Sequence, residues 1–370
     1  MLNVLTFQAG GSILHIPSIV GKAITQGALP LALLVMLSIN RRLIIRPNVF
    51  LCLVSLLAIE AILTATTAQY LRGTTYRTFR LAEFIVALWL LSPFWGRRDM
   101  LLIRCHLKVL LVVLGSVIVG LLVAPGHAMA GGRLGGAIWP IPATQVAHYA
   151  AVTLGIVCLL WMCGQRSGRS TLPVVVVAGA MLILSHTRTA LVALILGLLF
   201  AGLSLFVAWA RARKVLIAAG AIAVVALTTL FGALTKWLAR GEGTSQLTNL
   251  TGRTYFWQAV LNVPRDKFQE IFGFGLSNDS INGLPIDSNW LASYMEQGLF
   301  GVAICVLVLL FLIVTAYFQP RGAQRALAIF LVIYCLIASF TEVGFTGAST
   351  YLLDLTLAAS LLVPSFAREA

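Results

Sequence analysis

Residues 250–301 read LTGRTYFWQAVLNVPRDKFQEIFGFGLSNDSINGLPIDSNWLASYMEQGLFG, and the contrast with their surroundings decides the fold. This is the one long polar segment in a chain that is otherwise almost continuous hydrocarbon. Of 370 residues, 59% are hydrophobic and 10% charged, and the mean hydropathy is +0.96. A soluble chain would carry about 25% charged residues. The surplus apolar surface therefore faces lipid, and the polar, aromatic, glycine-rich segment is where chemistry is expected.

Apolar runs long enough to cross a bilayer lie near 23–40, 49–69, 78–95, 100–123, 144–163, 171–187, 190–210, 215–235, 296–318, 326–343 and 348–363. They do not alternate polar with apolar, which excludes a membrane β-barrel. The expected fold is an all-α polytopic membrane protein with about 11–12 transmembrane helices. It forms one integral-membrane domain, 1–370, with a large extracytoplasmic loop at 236–295. Residues 1–20, with Gly10, Gly11 and Pro17, form either a marginal twelfth span or an interfacial helix. They lack the basic leader of a cleavable signal peptide.

Lys and Arg set the orientation. Alternate turns hold Arg41, Arg42 and Arg46; Arg97 and Arg98; Arg166 and Arg169; Arg211, Arg213 and Lys214; Arg321 and Arg325; then Arg368. These turns are short and nearly free of acids, so they and the C-terminus are read as cytoplasmic. The net charge of +14 is mostly this topological charge, in contact with anionic headgroups. Nucleic acid is not the partner it implies. The six cysteines lie in or beside apolar spans and read as packing residues. No metal-ligand spacing or phosphate-loop motif occurs, so neither metal nor cofactor is expected.

Several arginines break the topology rule. Arg72, Arg77, Arg80, Arg133 and Arg188 sit at outside ends of spans, and Arg240, Arg253, Arg265 and Lys267 in the large loop. They either reach out to headgroups and the few outside acids, or form a site. A guanidinium cluster at the interface suits a lipid phosphate or pyrophosphate, which it grips with two parallel hydrogen bonds.

These arginines fall in motifs. Ser185-His186-Thr187-Arg188-Thr189-Ala190 ahead of an apolar span resembles the S-x-x-R-T-A element of the O-antigen ligase and polymerase superfamily. Gly252-Arg253 with Trp257 resembles its G-R-x-x-x-W element, and Phe272-Gly273-Phe274-Gly275 its glycine-rich stretch. Asp287-Ser288-Asn289 and Glu296-Gln297-Gly298-Leu299-Phe300-Gly301 resemble the H-N or D-N element and the helix start that follows. Arg133-Leu134-Gly135-Gly136 to Pro140 echoes an upstream loop. The likeness covers roughly residues 130–345. It implies a metal-independent glycosyltransferase of the bacterial inner membrane, working on its outer face in O-antigen or exopolysaccharide synthesis. The donor would be an undecaprenyl-diphosphate-linked glycan. The acceptor would be lipid A-core for a ligase, or another lipid-linked repeat unit for a polymerase. Ligases of the family usually place His before the Asn; here it is Ser288, which favours a polymerase or another polysaccharide enzyme of the family.

On that likeness a diphosphate leaves as a stable anion and needs cations, not an acid. Arg188 and Arg253 are the candidates, with Arg72, Arg77, Arg80 and Arg133 around them. Gly273 and Gly275 either admit a large ligand or simply turn the chain. Trp257, with Tyr255 and Phe256, either stacks on sugar or joins the interfacial belt. Asp287 is the first candidate base for the acceptor hydroxyl, Glu296 the second, and Asn289 could orient it. Asp287 and Asn289 read equally well as helix caps. His186 is read as a packing residue, and Glu60 and Glu83 as buried supports of the site. The rival reading is a transporter or flippase of lipid-linked oligosaccharide, which Glu60, Glu83 and Asp354 would suit. No matched pair of interrupted spans in two halves supports it.

The orientation has a direct test. A cysteine placed at Thr244 should react with an impermeant maleimide added outside the intact inner membrane. Labelling only after that membrane is permeabilised would overturn the outward-facing site.

Overall fold

The computed structural model describes residues 13, 17–66, 68, 71–97, 99–229, 232, 253–276, 280–281 and 284–364. The helices, in chain order, are α1 (Ser18–Ile39), α2 (Val49–Ala65), α3 (Leu71–Leu91), α4 (Leu101–Val123), α5 (Pro125–Ala128), α6 (Ala143–Met162) and α7 (Gly168–Leu184). They continue with α8 (Arg188–Leu205), α9 (Ala210–Thr229), α10 (Arg253–Leu261), α11 (Lys267–Phe272), α12 (Asn289–Phe318), α13 (Ala323–Ala338) and α14 (Thr350–Leu362). Strand structure among the described residues is one two-residue ladder, Ser280–Ile281 against Leu284–Pro285.

Each apolar run in the sequence is helical over most of its described residues. By length and composition α1, α4, α6, α8 and α12 can cross a membrane, and α2, α7, α13 and α14 are shorter apolar helices. The chain is an all-α polytopic membrane protein. The extra N-terminal span falls largely outside the described residues. So do parts of the 236–295 loop.

Helix α6 is the axis. Of its apolar window 78% is buried, against 11% for α1, which lies at the periphery. Close approach to α6 depends on small residues, as in other membrane bundles. The fully buried Phe330 of α13 lies against Gly155 of α6 and Gly197 of α8, and a Cβ at Gly155 would run into its ring. Polar groups tie the same helices together. Asp354 of α14 lies 3.2 Å from His106 Nε2 on α4 and 3.1 Å from His148 Nε2 on α6. His148 Nδ1 in turn lies 3.2 Å from the Tyr334 hydroxyl of α13.

The bundle has two chemically different ends. At one end the basic turns are joined by hydrogen bonds. The Asn40 amide donates to the Leu90 carbonyl, Gly96 N to Ser360 O and Gln324 to Arg97 O. Arg211 donates to the Trp161 carbonyl at 2.7 Å. The opposite end collects the motif segments.

Gly155→Val should force α6 and α13 apart. Overpacking of this kind costs about 1–3 kcal/mol. Gly179 has nothing within 4 Å of an added Cβ, so Gly179→Ala is the matched control. Thermal unfolding in detergent should show a clear drop for the first and none for the second. Equal melting would refute this packing.

Candidate functional site

The element Glu296-Gln297-Gly298 breaks a helix. Gly298 has φ 62 and ψ −159, which divides α12 into a short piece from Asn289 and a long apolar one. Such a dihedral is open to glycine and costly for other residues. The break frees carbonyls from helical bonding, and a second glycine segment takes them. Phe274 N donates to Met295 O and Gly275 N to Glu296 O, both at 2.9 Å. Gly273 (φ 76) lies so close to Glu296 and Gln297 that a Cβ would strike their backbone. Gly275 lies against Ala68 and Thr74. Here Gly273 admits the backbone of α12 and Gly275 the side chains of Ala68 and Thr74.

The break sets the directions of the side chains around it. Gln297 reaches α2, donating from Nε2 to the Leu57 carbonyl at 3.1 Å. Glu60 of α2 is buried beside Gln297 and Thr64. Glu296, itself buried, pairs with Arg77 of α3 at 3.1 Å. Arg77, Arg80, Leu276, Glu296 and residues Thr346 to Ser349 line a recess of about 190 Å³. Arg80 lies over the Tyr76 ring at 5.5 Å and influences Glu83 electrostatically.

The Ser185–Thr189 turn forms a neighbouring group. His186 is left-handed, with φ 49, so the chain reverses sharply between α7 and α8. Arg133 holds the turn, donating from Nε to Ser185 O at 3.0 Å and from Nη2 to Thr187 Oγ1 at 3.1 Å. Burial lowers the pKa of Arg133 and nearby Glu342 raises it, though a guanidinium stays charged in either case. Arg188 is the first residue of α8. Its Nε is buried with no hydrogen-bond partner, the N-cap Thr187 makes no side-chain cap, and the first turn has no acid. A cation there opposes the positive end of the helix dipole, by about 0.3–1 kcal/mol.

The two groups share a loop, residues 339–349. Thr341 donates to Thr189 of α8 at 2.8 Å, and Thr346 and Ser349 line the recess at Arg77. Asn289 fixes this loop. It is fully buried, its Oδ1 accepts from Gly344 N (3.0 Å) and Phe345 N (2.8 Å), and its own N–H donates to Ser339 O. Asn289 thus organises the loop from inside. Asp287 is exposed, and the N-cap of α12 is Ser288. Arg72 is exposed at the start of α3. Trp257 is half-buried on α10, with an indole N–H lacking a partner. Arg253 begins α10, but its side chain, with those of Tyr255 and Phe256, lies outside the described residues, as does Arg240.

Arg265 is a structural pin. It donates to Tyr294 O at 3.0 Å and Val260 O at 3.3 Å, and lies 3.8 Å over the Tyr294 ring. The 339–349 loop was missed in the sequence. Its signal was Thr341 to Thr350, TEVGFTGAST, a small and polar stretch between two spans. The sequence boundaries absorbed most of it; α13 ends at Ala338 and α14 begins at Thr350.

Asn289→Ala would strand two buried backbone donors, at about 1–3 kcal/mol each. The expected result is a lowered melting temperature and faster hydrogen exchange at Gly344 and Phe345. Asn289→Asp, which keeps the acceptor, should fall well short of that loss. Unchanged exchange in the Ala variant would remove Asn289 from its organising role.

No curated protein matches this chain. Residues 173–306 match the family model described as O-antigen ligase. That stretch runs from α7 through the Arg188 turn and the Gly273 segment to the break at Gly298. The match covers about a third of the chain; it supports membership of the O-antigen ligase/polymerase superfamily and a membrane enzyme of that general type.

Proposed function

We propose that this protein is a glycosyltransferase that moves or polymerises a glycan from an undecaprenyl-diphosphate-linked donor. The acceptor is a sugar hydroxyl on lipid A-core or on a second lipid-linked repeat unit. The reaction takes place on the outer face of the inner membrane. Ser288, where ligases usually carry His, favours the polymerase, with exopolysaccharide or O-antigen as product.

The observation that carries this reading is Arg188 at the N-terminus of α8. A guanidinium at a positive helix end, with no acid in the first turn, is a poor arrangement for an isolated protein. It becomes favourable when an anion sits there, since free helix amides and the guanidinium then act on the same charge. Arg133, seated on the same turn, adds to the field. In the reaction the acceptor hydroxyl attacks the anomeric carbon. The bond from that carbon to the phosphate oxygen breaks, and the diphosphate leaves with the electron pair. Arg188 and Arg253 stabilise the growing charge, so no metal is required. Asp287, exposed on the same end, takes the acceptor proton and passes it to water; Glu296 is the second candidate. Arg72, Arg77 and Arg80 bind the donor phosphates or sugar, Trp257 offers a stacking face, and Gly273, Gly275 and Asn289 hold the site's shape.

The test is a gel ladder made by purified protein from lipid-linked repeat units, in the presence of a chelator. Arg188→Ala and Arg253→Ala should each abolish the ladder in folded protein, and Lys should restore little because it lacks the fork. Asp287→Asn should slow turnover by about 10²–10⁴ with melting unchanged. Full activity in the Arg188→Ala variant, or a strict need for a divalent ion, would overturn the mechanism.

A further inference from the structure

The opposite end of the bundle carries a second cation-lined recess that the transfer reaction does not use. It has a volume of about 300 Å³ and lies between the α6–α7 and α8–α9 turns. Trp161, Gln165, Arg166, Ser167, Gly168 and Arg211 line it. The arginines are held in place. Arg211 donates to Trp161 O at 2.7 Å while its guanidinium lies 5.6 Å over the Trp161 ring. Arg166 folds back to donate to Ser170 O at 3.0 Å, and its Nε is buried with no partner.

Charge balance calls for a ligand from outside the chain. Arg166, Arg169, Arg211, Arg213 and Lys214 gather on these two turns, and the sequence holds no acid between Asp99 and Glu242. Among the described residues, the turns at this end carry one acid, Asp99, already bonded to Arg97 at 2.8 Å. The first turn of α7 adds helix amides without helical partners.

We propose that this recess binds the phosphate headgroup of an anionic glycerophospholipid from the adjoining leaflet. Two guanidiniums suit a phosphodiester. A lipid is favoured over free phosphate by the apolar surface of the helices that meet at the recess. The helices that lead away from these turns expose apolar side chains to lipid, Leu172 and Val176 on α7 and Leu203 on α8, with Val207 just past its end. Trp161 is suited to the interface between headgroup and hydrocarbon. Basic pockets between membrane helices bind anionic headgroups on these terms.

The test uses delipidated protein in neutral detergent, titrated with phosphatidylglycerol or phosphatidylcholine and read by native mass spectrometry. Wild type should hold one phosphatidylglycerol, and phosphatidylcholine should bind at least tenfold more weakly. The Arg166→Ala/Arg211→Ala variant should lose phosphatidylglycerol at least tenfold. Arg41→Ala/Arg42→Ala, on a different basic turn, should stay within twofold of wild type. If the double Ala variant elutes as aggregate, Arg166→Gln/Arg211→Lys, which keeps a donor for Trp161 O, is held to the same tenfold criterion. Unchanged binding in the folded recess variant would overturn the proposal. So would equal loss in the Arg41/Arg42 control, equal binding of phosphatidylcholine, or displacement of the lipid by inorganic phosphate at equal concentration.

Discussion

A helix that breaks within an apolar bundle must find new partners for the carbonyls it frees, since water is not there to supply them. Much of the motif-bearing end follows from meeting that demand at Gly298. The Gly273–Gly275 segment supplies amides to Met295 and Glu296 and must run against the α12 backbone to do so. That contact fixes where the polar 250–301 segment returns to the bundle. It also brings Glu296 to Arg77 and Gln297 to α2. The polar site and the broken helix are one structural solution.

The same demand uses up arginines. From the sequence, Arg72, Arg77, Arg80, Arg133, Arg188 and Arg253 are the candidates to bind an anion, and Arg265 reads as a partner of headgroups or acids. In the fold, Arg265 is spent on two carbonyls and an aromatic ring, Arg133 on the Ser185 turn, and Arg77 pairs with Glu296. These bonds make the cations rigid. They also separate positioning from binding, because an arginine with its Nε and one amino group committed has fewer donors left for a ligand. Arg188 and Arg265 both bury an Nε without a partner, but of these four arginines Arg188 is the one that stands at a helix start.

The helices were legible in the sequence because apolar length is a direct physical requirement of the bilayer. Their ends were less so. Val343 and Phe345 are as apolar as any span residue, yet α13 stops at Ala338, and the Phe345 amide binds Asn289. Hydropathy does not register a loop that is buried by protein rather than solvated. The glycine motif was visible as a pattern, but not the partner it approaches. Three buried ionisable groups, His106, His148 and Asp354, are far apart in the chain and meet only through packing of α4, α6 and α14. Residue spacing carries no signal for a cluster of that kind. The side chain of Arg253 and the Thr244 region fall outside the described residues.

The two ends of the bundle treat positive charge differently. On the basic turns the arginines have almost no acids nearby; Arg97 bonds to Asp99, while Arg166 and Arg211 bond to backbone carbonyls. Such cations keep their net charge, which suits contact with anionic headgroups. At the motif end Arg77 has buried Glu296, and Glu342 acts on Arg133. The field there is mixed, with positive charge at the start of α8 and, in the recess, Glu296 offsetting part of the charge of Arg77 and Arg80. A uniform positive surface would hold a diphosphate both before and after transfer. Carboxylates near the arginines offset part of that attraction, so they limit the affinity for a product that carries the same anion. In the proposed reaction this balance lets the cations stabilise a leaving diphosphate without trapping it.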